Sequence, residues 1–138
     1  MSPFFLDASF AIAARLRRDQ HHGDVARLWA RLQKDRVRLT TTSFVLDEVA
    51  TYLNARGKHA TAAQIGDMLM TSSFVDFVHV DAELFQLGWK YFVRSSDKRF
   101  SLTDCISFVL MEQRGLRQAL TLDRHFAQAG FEVLPLGS

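Results

Sequence analysis

The chain has one cysteine, Cys105, in 138 residues, so it can form neither an internal disulfide nor a Cys-rich zinc site. Its five His show no metal-ligand spacing, which argues against a His-based zinc site as well. Proline is scarce, at 2, and glycine is modest, at 7, so a disordered or low-complexity chain is excluded. No apolar run approaches the ~20 residues of a membrane span. The segment Met1 to Asp7 lacks a positive region followed by a long apolar stretch, so a secretory signal is not expected. Neither sign of charge dominates: 17 Lys/Arg stand against 15 Asp/Glu, a net +2 that by itself names no partner. What is present is 48% apolar and 23% charged residues, the balance of a soluble globular protein. The expectation is a single domain over residues 1–138 in a reduced, cytoplasmic protein with no membrane partner.

Short apolar runs alternate with longer helical patterns. The runs Phe4–Leu6, Val37–Thr41, Phe74–Val80, Ala119–Leu122 and Phe131–Leu134 are rich in Val, Leu, Phe and Thr and short enough for central strands. The spacing predicts helices over Ser9–Arg18, Asp24–Lys34, Ser43–Arg56, Ala60–Met70, Ala82–Arg94 and Leu102–Arg114, with a short one after Asp123. Gly57, Gly115 and Gly130 fall just past helix ends, where a terminating glycine belongs. Strands alternating with helices imply an α/β fold, a parallel sheet covered on both faces. In such sheets chemistry sits at the carboxyl ends of the strands.

Acidic residues fall at those places. The first strand runs into Asp7 and the fourth into Asp123, although Asp at a βα junction also serves simply as a helix cap. Asp104 lies three residues after Ser101, a pattern that resembles a capping box, and on the same side of its helix as Ser107. Glu48 falls between Phe44 and Tyr52 at the edge of an apolar helix face, whereas Asp47 falls on the polar face. A glutamate turned toward the core needs a partner, such as a buried Arg, unless it snorkels to the surface. Carboxylates brought together repel and raise each other's pKa unless a cation neutralises them. An all-oxygen site prefers Mg²⁺ or Mn²⁺, the usual apparatus for activating water against a phosphodiester.

The segments Phe5-Leu6-Asp7-Ala8-Ser9, Thr42-Ser43-Phe44-Val45-Leu46-Asp47-Glu48, Ser101-Leu102-Thr103-Asp104-Cys105 and Leu120-Thr121-Leu122-Asp123-Arg124-His125-Phe126 resemble, in order, the acidic motifs of PIN-domain ribonucleases. The resemblance spans nearly the whole chain. It implies a three-layer α/β/α sandwich with a five-stranded parallel sheet. It also implies a Mg²⁺-dependent endoribonuclease, with Mn²⁺ able to substitute. Matched to the motifs, the catalytic and metal-binding acids would be Asp7, Glu48, Asp104 and Asp123, with Ser9 in support. Ser107, one turn beyond Asp104, is a second supporting candidate. A small stand-alone PIN protein further resembles VapC-type toxins, which implies an RNA substrate, a small antitoxin partner and a homodimer.

Other residues carry weaker signals. Asp97 could hold water or contact a partner, but it sits in a polar Ser-rich stretch that reads as a turn. Arg124 and His125 directly follow Asp123 and could touch RNA phosphate or simply begin a solvated helix. Cys105 lies on an apolar helix face and reads as a buried thiol. Residues 1–60 hold ten of the basic residues against six acids. Arg15, Arg17, Arg18, Arg27, Arg31, Lys34, Arg36 and Arg38 among them could follow an RNA backbone or form solvated helix surfaces. The competing functions are a PIN-like module that binds RNA or protein without cleaving it and a phosphate-transfer domain. The second lacks the closely spaced acids and strand-end Lys it would need.

Overall fold

A computed structural model describes residues 3–135. Its elements run β1 (Phe4–Leu6), α1 (Ala8–Arg15), α2 (His22–Lys34), β2 (Leu39–Thr42), α3 (Ser43–Ala55), α4 (His59–Thr71), β3 (Val75–Val78), α5 (Ala82–Arg94), α6 (Leu102–Arg114), β4 (Gln118–Leu120), α7 (His125–Gln128) and β5 (Glu132–Leu134). All strand pairs are parallel, in the order β3-β2-β1-β4-β5. The chain winds outward from β1 through β2 to β3, then crosses to β4 and winds outward the other way. Right-handed crossovers therefore put α1 to α4 on one face and α5 to α7 on the other. The winding reverses between β1 and β4, and the carboxyl ends of these neighbours flank the crevice where such folds place ligands.

The central strands are buried on both faces. Phe5, Leu6, Ala119 and Leu120 are fully enclosed, and Thr41 and Thr42 are buried with them. Thr41 satisfies its hydroxyl by donating to the Leu6 carbonyl at 2.8 Å, which ties β2 to β1. On the far face α5 packs closely on α6. A Cβ at Gly88 would come within 2.4 Å of Ile106 Cγ1 and 3.1 Å of Ile106 Cα, so only glycine permits this approach. Phe108 of α6 anchors an aromatic cluster, meeting Phe100 and Phe126 edge-on, each at 5.0 Å between ring centroids. Gly115 ends α6 in the left-handed region at φ 66°, with Leu116 N–H bonded back to the Met111 carbonyl.

The strand–helix alternation matches the sequence reading, and the differences lie at element ends. Helix α1 stops at Arg15 rather than Arg18, because Leu16 to Gln20 turn, with Asp19 N–H on the Leu16 carbonyl. Strand β2 begins at Leu39 rather than Val37, since Val37 N–H is spent closing α2 on the Leu32 carbonyl. Strand β3 ends at Val78 rather than Val80, whose N–H goes to Ser43 Oγ. Strand β4 ends at Leu120 rather than Leu122, whose N–H goes to Ser9 Oγ. In the last two cases a side-chain hydroxyl takes the donor that a longer strand would have paired.

Candidate active site

Asp7 follows β1 at the reversal point. Its backbone is extended at the start of α1, but its side chain makes no cap bond. The carboxylate instead accepts from two hydroxyls on one oxygen. Ser9 Oγ donates to Asp7 Oδ2 at 2.7 Å, and Thr121 Oγ1 donates to the same atom at 2.8 Å. Each hydroxyl accepts in turn from the backbone beyond β4, Ser9 from Leu122 N–H and Thr121 from Asp123 N–H, both at 2.9 Å. Asp7 is thus clamped between the two central strands. Burial, opposed by these hydrogen bonds, pushes its pKa up to about 6.

Asp104 reaches the same place from the start of α6. The expected capping box is present: Ser101 Oγ accepts from Asp104 N–H at 2.9 Å, and Asp104 Oδ2 accepts from Ser101 N–H at 3.1 Å. The cap does not exhaust the carboxylate. With its proton on Nδ1, His125 donates to Asp104 Oδ2 at 2.9 Å and faces Asp123 Oδ1 at 3.2 Å. Burial raises the Asp104 pKa, against the Ser101 and His125 bonds that lower it. Asp123 lies beyond the end of β4, in the loop before α7, and also accepts from His125 N–H at 2.9 Å.

Glu48 approaches from α3 on the opposite face of the sheet. Burial comes first among the causes that push its pKa up to about 7, followed by the negative charges of Asp7 and Asp104. Asp123 acts in the same sense, and a Thr103 hydrogen bond opposes them. No Arg or Lys pairs with Glu48 among the described residues. The buried-Arg alternative therefore falls, and the carboxylate meets the Thr103 hydroxyl and the negative charge of the neighbouring acids.

The donor set fits a divalent cation. Asp104 and Asp123 bring carboxylate oxygens within 4.8 Å of one another, with the His125 Nδ1 proton between them. The Asp7 and Glu48 carboxylates repel this group, which is the condition a hard cation relieves.

Three sequence candidates stand apart. Ser107 is fully buried and spends its hydroxyl on the Thr103 carbonyl at 2.8 Å, one turn back, as buried helix serines do. Asp97 is exposed in the turn between α5 and α6 and pairs with Lys98 at 3.5 Å. Arg124 is exposed beside the site. Conversely, the roles of Thr121 and Thr103 and the bond of His125 to Asp104, rather than to RNA, come from the structure. A hydroxyl two residues before Asp123 was the available signal for Thr121. His125 is held by its place beside Phe100, edge-on at 5.5 Å between ring centroids, which adjacency in sequence does not reveal.

The chain matches the model of the PIN domain over residues 4–132. It is 37% identical over 132 residues to the 23S rRNA-specific endonuclease VapC20 of Mycobacterium tuberculosis, covering 95% of this chain and 98% of that protein. The crystal structure of M. tuberculosis VapC20, a sarcin-ricin loop cleaving toxin, superimposes with a TM-score of 0.84 at 33% identity, over 93% of this chain and 95% of that one. FitAcB from Neisseria gonorrhoeae has a similar fold, with a TM-score of 0.58 at 16% identity over 94% of this chain and 95% of that one.

Proposed function

The chain belongs to the PIN-domain family, and on that premise we propose that it is a metal-dependent endoribonuclease of the VapC toxin type. The observation that carries this reading is the convergence of Asp7, Glu48, Asp104 and Asp123 at the reversal point of the sheet, with no Arg or Lys paired with Glu48 among the described residues. These four acids would hold Mg²⁺, with Mn²⁺ able to substitute. A bound ion of this kind polarises a phosphoryl oxygen and lowers the pKa of water.

The chain's own groups do the positioning. Ser9 and Thr121 hold Asp7 on one oxygen, and His125 holds Asp104, so two carboxylates keep their orientation when the site fills. The hollow beside Glu48, lined also by Ala8, Ser9, Ile12 and Leu122, is open to solvent and admits a substrate from outside.

Similarity to VapC20 across nearly the whole chain supports an RNA substrate, with 23S rRNA the first to try, and a small protein antitoxin as partner. A homodimer is part of the same reading, and the exposed apolar side chains of Trp89, Phe92 and Val93 on α5 offer one face for it. No helix among the described residues is long and apolar enough to cross a membrane.

The test is cleavage of ribosomal RNA by the purified chain with Mg²⁺ or Mn²⁺, stopped by EDTA. Asp104→Asn should lower the rate by about a hundredfold or more while leaving the circular dichroism spectrum unchanged. Normal cutting by that variant would sink the metal-site assignment. A protein that binds RNA yet neither hydrolyses it nor takes up Mn²⁺ would be the non-cleaving module instead.

A further inference from the structure

Two hollows meet at Tyr52. The first, of about 520 Å³, holds Glu48 and Ser9 of the candidate active site. The second, of about 640 Å³, is lined by Arg15, Arg17, Arg18, Arg56 and Lys58. Tyr52 and Asp19 line both, so the two form one continuous groove. Helix α3 gives the groove its spine. Glu48 and Tyr52 lie one helical turn, roughly 6 Å, apart on the same side, and Arg56 follows as the residue that ends the helix.

The basic end is built to stay charged and accessible. None of its five cations is ion-paired among the described residues. Against them the basic hollow presents one acid, Asp19, whose Oδ1 is occupied by His21 N–H at 2.8 Å. Other basic residues are placed differently: Arg27 pairs with Asp24, and Arg36 lines a separate hollow against Trp29 and Val75. Tyr52 is 37% exposed, and the Arg56 guanidinium lies 3.5 Å from its ring centroid while Arg56 Nη1 donates to the Tyr52 carbonyl at 3.1 Å. The guanidinium thus steadies one face of the ring. A partly exposed aromatic ring beside an unpaired guanidinium is the arrangement that stacks a nucleobase and contacts its phosphate.

We propose that this groove is the RNA-strand track of the enzyme: Tyr52 stacks a nucleotide next to the scissile bond, and Arg17, Arg18, Arg56 and Lys58 hold the phosphates leading away from it. The proposal rests on the ribonuclease reading and assigns the side from which its substrate enters.

The test is equilibrium binding of a fluorescein-labelled 12-nucleotide single-stranded RNA to the full chain in EDTA, which blocks cleavage, with KCl varied from 50 to 200 mM. Arg17→Ala/Arg18→Ala and Arg56→Ala should weaken binding and flatten the dependence of log Kd on log salt, by about 0.7 for each phosphate no longer neutralised. Tyr52→Ala should weaken binding about tenfold with little change of slope, and Tyr52→Phe should restore it. Arg31→Ala/Lys34→Ala removes the same charge from α2 and should leave both readouts near wild type. Thermal unfolding of each variant separates weakened RNA binding from a failure to fold. Wild-type affinity and slope in the track variants would overturn the proposal. So would track variants that keep RNA affinity but no longer bind a poly-glutamate peptide, an outcome that assigns the groove to an acidic protein segment. Failure of the ribonuclease reading shows separately, as absent Mn²⁺-dependent cleavage by wild type.

Discussion

The two ends of the groove at Tyr52 differ in construction as well as in charge. At the acidic end Asp7 is buried and clamped by Ser9 and Thr121, and Asp104 is held by Ser101 N–H and His125. At the basic end the side chains are long and exposed, and few of their groups are tied down. Arg15 donates to Gln64 Oε1 at 2.6 Å, and Arg56 lies over Tyr52. The contrast matches what the proposed function would ask of each end. Carboxylates that share an ion must be held within fractions of an ångström. Cations that follow a flexible polyanion gain most of their effect from charge, so loosely held side chains suffice. Rigidity is thus concentrated where two central strands end, and adaptability lies one or two helical turns away.

The hardest blow to this contrast would come from loosening the rigid end without touching a charge. Thr121→Val removes one of the two hydroxyls on Asp7 and the acceptor for Asp123 N–H. It should lower metal affinity or cleavage by about 10–100-fold, as loss of a partner that orients a ligand does. Titration with Mn²⁺ and single-turnover cleavage report it, and wild-type values would mean that the clamp is ornamental.

A second prediction concerns the energy stored at the acidic end. The folded protein holds Asp7 at about 6, above its ordinary 3.8, and Glu48 at about 7, above 4.5. Between these values the folded state keeps protons that the unfolded chain has released. Stability without metal should therefore fall as pH rises from about 4 to 7 and level off above that range. Asp7→Asn should stabilise the metal-free protein at pH 8 by about 1–3 kcal/mol, because a shift of one pKa unit corresponds to about 1.4 kcal/mol. The same variant should lose the rise in Tm that Mn²⁺ confers on wild type. Urea unfolding with and without Mn²⁺ measures both, and a less stable metal-free variant would contradict the electrostatic account.

Smaller effects mark the edge of the site. Ser107→Ala should leave cleavage unchanged and cost about 1 kcal/mol or less, since its hydroxyl serves only the helix. Asp97→Ala should change stability by no more than about 0.5 kcal/mol and leave RNA cleavage unaltered, because its one ion pair is solvent-exposed. A marked loss of cleavage in either variant would extend the rigid end beyond the residues that the geometry connects.

Much of the molecule was legible in the chain itself. Short Val-, Leu- and Phe-rich runs between longer helical patterns specify a parallel sheet, because a strand buried on both faces has no polar side to show. The ordered acids were legible because they stand at the boundaries of those runs. Asp104 shows the limit of such reading. The capping box seen in Ser101 and Asp104 is real, and the same carboxylate also accepts from His125, so capping a helix and joining an acidic cluster are compatible. For Ser107, helical spacing puts it near Asp104 without saying which acceptor its hydroxyl prefers, and it donates to the Thr103 carbonyl.

The sequence by itself determined the alternation of strands and helices, the order of the four acids and the excess of cations in its first half, since each depends on residue type and local spacing. Only the tertiary structure decided that Thr121 shares Asp7 with Ser9 across 112 residues of chain, and that His125 joins Asp104 across 21. It alone decided that Arg56 and Lys58 complete the basic cluster begun by Arg15, Arg17 and Arg18. The physical reason is the same in each case. A hydrogen bond or a converging charge depends on distance in space, and parallel strands joined by crossovers bring together segments far apart along the chain.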